Sequence, residues 1–149
     1  MSLARLLSDQ QARLSELVRL LEQELEALTV GQVDGELLKG IARRKRELLA
    51  ELERTETLRR QVQQRLGYPM DPAGSLAAAK DANCLGAWEA CLAATERTAR
   101  LNDLAGQLLG MRLKHNQQML DFIHEVSEKT LYDPSGRSGR QSGRLSTSA

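Results

Sequence analysis

Aromatic side chains make up only 3% of this 149-residue chain: one tryptophan, two tyrosines and one phenylalanine. A core of stacked rings is excluded, so Leu and Ala must fill the interior. Both are strong helix formers that lose little freedom in a helix. β-branched residues are also sparse, which leaves a sheet little to build with. Cysteine is limited to Cys84 and Cys91. Their spacing corresponds to roughly 10 Å along a helix axis, beyond the ~7 Å Cα separation that a disulfide tolerates. They read as two small buried thiols in a reducing cytosol.

Other absences narrow the function. No stretch approaches the ~18 continuous apolar residues of a membrane helix. Met1 to Arg5 run straight into an amphipathic pattern with no apolar signal core, so a cytoplasmic location is expected. The net charge is only +1, which argues against a dominant electrostatic role on nucleic acid or anionic membrane. There is no HExxH, P-loop, nucleophile elbow or paired-carboxylate signature. The expectation is a protein that binds another protein, with no catalytic residues, no metal and no cofactor.

What is present is helical periodicity. Leu3, Leu7, Leu14, Leu17, Leu21, Leu25 and Leu28 recur at the spacing of one helix face, interrupted by Gln10. Gly31 is the expected left-handed cap of this helix. A second helix starts at Asp34, a good N-cap with Glu36 in the first turn. Its stripe is Ile41, Lys45, Leu48, Leu52, Thr55, Leu58, Val62 and Leu66, and Arg59, Arg60 and Arg65 are read as cations favoured by the helix terminus. Gly67-Tyr68-Pro69 stops it, and Ser75 is the expected cap of a short Ala-rich turn. A last helix runs from about Asn83 to Thr130, with a kink or break open near Gly86 or Thr95. The fold class that follows is all-α: an elongated antiparallel bundle of three long helices, with room for a short fourth, packed in coiled-coil fashion. Residues 1–132 form the helical domain. Residues 133–149, rich in Gly, Ser and Arg, bury too little surface to order and are expected to be disordered.

The last helix carries the functional signal. Leu101, Leu104, Leu108, Met111, His115, Met119, Phe122 and Val126 form one apolar seam, and Leu109, Leu113, Leu120 and Ile123 form a second, rotated by roughly 100°. This arc is nearly twice the width a surface helix needs. Either the helix touches two neighbours in its own bundle, or one seam serves the bundle and the other a partner helix. Gly106 and Gly110 inside the helix fit close approach of another helix or plain flexibility. His115 is expected in the core. His124, Asp121 and Glu128 offer three ligand types on one helix, an opportunistic metal site at most, and with the run Arg43-Arg44-Lys45-Arg46 followed by Glu47 they read as ordinary helix surface.

The stretch Leu101-Asn102-Asp103-Leu104-Ala105-Gly106-Gln107-Leu108-Leu109, then His115-Asn116-Gln117, Leu120 and Thr130-Leu131-Tyr132-Asp133-Pro134-Ser135-Gly136, resembles the FlgN family of flagellar type III export chaperones. Asp133 stands where the family has a glycine, and Ala105 where it often has asparagine. The resemblance implies a chaperone that binds the hook–filament junction proteins FlgK and FlgL, prevents their premature assembly and presents them to the export gate protein FlhA. On that reading the second seam, Leu109, Leu113, Leu120 and Ile123, receives cargo, and Leu131 with Tyr132 docks on the gate. A homodimer is open when cargo is absent. The alternatives are a self-associating coiled-coil protein, a nucleic-acid-associated helical protein, and a chaperone of another flagellar cargo.

Overall fold

The computed structural model describes residues 2–131, with side chains to Glu128. Helix α1 (Leu3–Thr29) begins at Ser2, whose hydroxyl accepts the Arg5 amide at 3.2 Å. It buries Leu3, Leu7, Leu14, Leu17, Leu21 and Leu28 along the expected stripe, and Gln10 with them. It ends in extended backbone at Val30, not in a left-handed glycine. Gly31 has an ordinary φ, so its expected role as the cap is corrected.

Helix α2 (Gly35–Arg65) is capped by Asp34, which accepts the amides of Glu36 and Leu37 at 3.1 and 3.2 Å. It closes on Gly67 at φ 83°. The Gly67 amide donates to Gln64 and the Tyr68 amide to Gln63, the paired closure that a left-handed residue after a helix permits. Helix α3 (Pro72–Asp81) starts one turn earlier than expected. Pro72 has its φ preset for a first helical position, and Asp71, not Ser75, is the cap, accepting the Gly74 amide at 2.7 Å. Asn83, at φ 54°, closes α3 in the same way that Gly67 closes α2. Helix α4 (Leu85–Leu131) then runs unbroken through Gly86 and Thr95.

The chain divides into two units, residues 1–108 and the residues from Leu109 on. In the first unit α1 is central. Its cross-links to α2 join Gln10 to Glu56, Arg13 to Glu51, Glu16 to Arg44 and Glu24 to Lys45. Numbers broadly rise on one helix as they fall on the other, so the pair is antiparallel, as the short connection requires. The first unit's part of α4 lies parallel to α1: the Cys91 thiol donates to the Leu7 carbonyl at 3.5 Å, and Arg97 pairs with Glu22 further along. Leu17, Leu21, Leu48 and Leu101 form one buried cluster, and Leu3, Leu7, Ala78, Ala79, Cys84 and Cys91 contribute to another. Each fully buried leucine stabilises the fold by roughly 1.5–3 kcal/mol. Cys84 and Cys91 are free and buried, and burial pushes both thiols up.

A polar network joins α1, α2 and α3 at the α3 end. Arg59, 6% exposed, is not the surface cation expected of it. Its guanidinium donates twice to Glu56, at 2.7 and 2.8 Å, and once to Gln63 at 2.7 Å. Glu56 also accepts from Gln10 of α1 at 2.9 Å, Gln63 donates to the Pro69 carbonyl at 2.7 Å, and the Ser75 hydroxyl of α3 donates to Gln63 at 3.0 Å. The Gln10 that interrupts the apolar stripe is therefore a partner in this network. Burial opposes the Glu56 charge, but the hydrogen bonds from Arg59 and Gln10 outweigh it and hold the carboxyl below the usual range.

Candidate partner-binding surface

Helix α4 holds few buried positions. Cys91, Leu101 and Ala105 face the core of the first unit, while Leu104 is exposed and Leu108 half-buried. In the second unit the helix continues without a buried side chain among residues 109–128. Both sequence-predicted seams are exposed there. Leu109, Leu113, Leu120 and Ile123 of the second seam, and Met111, Met119, Phe122 and Val126 of the first, are each between 44% and 66% exposed. Neither of the two arrangements expected from the sequence accounts for this. Within this unit both seams, and not one, face solvent.

His115 is exposed on this surface, which corrects its expected place in the core. A Cβ on Gly106 or Gly110 would meet nothing within 4 Å, so close approach of a helix from the same chain does not explain either glycine. No cluster of three metal-ligating side chains exists among the described residues. The polar side chains here serve the helix itself, as where Gln117 donates to Asp121 at 2.9 Å. Leu131 is the last residue of α4, and Tyr132 lies outside the described residues.

Such a surface can do one thing chemically. It offers a broad apolar arc, rich in adaptable Met and Leu side chains, against which another amphipathic helix can bury its own apolar face. Monomeric proteins rarely leave an arc of this size open without a partner for it. The basic run behaves differently. Arg44 binds Glu16 of α1 and Glu47 of α2, and Lys45 binds Glu24. The Arg44 hydrogen bond holds the Glu16 carboxyl below its ordinary value. These cations cross-link α1 and α2 and do not form an open anion-binding patch. No helix among the described residues is long and apolar enough to cross a membrane.

Comparison with known proteins finds relatives over most of the chain. The FlgN protein family model matches residues 1–140. Flagella synthesis protein FlgN of Escherichia coli K12 is 30% identical over 135 residues, covering 91% of this chain and 88% of the relative. The protein of the same name from Salmonella typhimurium LT2 is also 30% identical over 135 residues, covering 91% and 89%. No solved structure matches the chain.

Proposed function

The chain belongs to the FlgN family, and from that premise we propose that it serves flagellum assembly as a cytoplasmic export chaperone. Its cargo is the hook–filament junction proteins FlgK and FlgL, which it keeps from assembling prematurely and presents to the export gate protein FlhA. The observation that carries this reading is the exposed apolar arc of residues 109–126. A cargo terminus that forms a helical assembly only after export is unfolded and apolar beforehand, and it can order against such a helix at the moment of binding. No chemistry beyond binding is needed, so neither catalytic residue nor cofactor enters the reading.

Leu109, Leu113, Leu120 and Ile123 are the proposed cargo contacts, and Leu131 with Tyr132 the proposed gate contact. Calorimetric titration with the C-terminal segments of FlgK and FlgL tests the first assignment. Saturable binding with a negative heat-capacity change is expected, and Leu113→Glu with Leu120→Glu should abolish it while helicity stays intact. Absence of binding to either segment contradicts the reading. Tyr132→Ala should weaken gate binding; unchanged affinity removes that assignment.

A further inference from the structure

Helices α1 and α2 line an open groove of about 520 Å³ to which neither α3 nor α4 contributes. That volume lies in the range of sites that hold small ligands. Arg5, Leu6, Asp9 and Arg13 share one face of α1, and Arg54, Thr55 and Leu58 stand opposite them on α2 with Glu51. Leu6 and Thr55 are buried and Leu58 is half-buried, so the floor is closed and partly apolar.

The charges of this groove are not all used. Arg13 binds Glu51 at 2.8 Å and reaches the Asp9 carbonyl at 3.3 Å. Arg5 and Arg54 are exposed, and among the described residues neither guanidinium has an ion pair or a hydrogen bond. The Asp9 carboxylate, one turn from Arg5, has none either. Three arginines thus meet two carboxylates, and one positive charge is left over. It is spread over two cations that repel each other, a repulsion that a bound anion relieves.

We propose that this groove binds the C-terminal residue of a peptide chain whose last side chain is apolar. Guanidiniums on two facing helices donate to the two oxygens of one terminal carboxylate, the charge-assisted pairing that arginine makes best. The last side chain lies on Leu6 and Leu58, and the amide N–H of the last residue donates to Asp9. The single surplus charge matches a monoanion. A phosphate group carries more negative charge and would meet Asp9 and Glu51 in the same groove. An internal peptide segment brings no carboxylate to this position, so the site reads a chain end. None of these residues belongs to the exposed surface of α4, and the inference does not depend on the chaperone reading.

Titration of the isotope-labelled full chain with acetyl-glycyl-leucine, followed by amide chemical shifts, tests the assignment. Binding should saturate with a dissociation constant on the order of 1 mM, ordinary for a ligand of this size in an open site. The largest shifts should fall at Arg5, Asp9 and Arg54 and their neighbours. Acetyl-glycyl-leucinamide, which lacks the terminal charge, should bind about tenfold more weakly. The Arg5→Gln and Arg54→Gln variants should each lose a similar factor with helicity unchanged, since both side chains are exposed. Should a variant fail to fold, the comparison of peptide acid with peptide amide on the wild type still decides. Equal binding of acid and amide, unchanged affinity in the double variant, or shifts confined to other residues overturns the proposal. 4-Methylpentanoate, which keeps the branched chain and carboxylate without the amide, should bind more weakly than the peptide, as should inorganic phosphate. Either one binding as tightly as the peptide would mark a plain anion site and overturn the chain-end assignment. Failure on any of these counts leaves the α4 surface and the chaperone reading untouched.

Discussion

The guanidinium carbon of Arg59 on α2 lies 5.0 Å from the centroid of the Trp88 ring on α4, while the same group grips Glu56 at two points and Gln63 at a third. One buried cation thus ties α4 to α2, and through Gln10 and Ser75 to α1 and α3. Stacking on an aromatic face adds attraction where water is excluded.

Arg59→Met keeps most of the volume but removes one of the two donors to Gln63 and deprives Glu56 of its cation. Removing one partner of a buried pair costs about 3–5 kcal/mol; because Glu56 is partly exposed, about 2–3 kcal/mol is expected here. Arg59→Lys should not restore it, since an ammonium cannot reproduce the fork that meets two carboxylate oxygens. Urea unfolding of both variants checks this. A shift within the ±0.5 kcal/mol typical of surface positions would mean that the network is dispensable.

Acid should loosen the fold through the same network and through the separate Glu16–Arg44 pair between α1 and α2. Glu56 and Glu16 both have carboxyls held below the ordinary value of 4.5. A depressed folded-state pKa contributes stability that is fully present above the unfolded value and lost as pH falls through the folded one. The urea midpoint should therefore be flat at neutral pH and begin to fall as the pH drops through about 4.5. Glu56→Gln should make that fall shallower. An identical slope in the variant would show that Glu56 is not coupled to folding.

Two glycines should respond in opposite directions. A Cβ at Gly74 would stand 2.0 Å from the Pro69 carbonyl oxygen, which is the acceptor for Gln63. Gly74→Ala must push α3 off the turn and should destabilise by about 1–3 kcal/mol. Gly106 sits inside α4 with open space where a Cβ would go, so Gly106→Ala should stabilise by about 0.5–1 kcal/mol. Thermal unfolding of the two variants reads both signs at once.

The helices themselves were legible because their signals are local: the stripe of α1, the cap at Asp34, and the Gly67 stop. The burial of Arg59 was hidden by following hydrophobicity through Leu58 and Val62. A straight helix returns to the same face after 18 residues, about five turns, which places Arg59 with Ile41 and Gln63 with Lys45. That spacing is the signal that could have found the network. Ser75 was a sound cap by residue type, but Asp71 before Pro72 was the stronger pair. The width of the apolar arc on α4 was visible in the sequence; what covers it was not. Periodicity reports which residues share a face, and carries no information on whether a neighbour comes from the same chain or another. For the same reason the open cleft between α2 and α4, floored by Leu14 and Leu17 of α1, left no trace in any single helix, since it exists only where three helices meet.

The most direct test of the account is amide hydrogen exchange of the full chain, free and saturated with the C-terminal segment of FlgK. If α4 from Leu109 to Glu128 is the cargo-binding surface, its amides should exchange readily in the free protein and gain their largest protection on binding, with little change in the buried face of α1. Saturated binding that leaves these amides unprotected, with protection confined to residues 1–108, would contradict it.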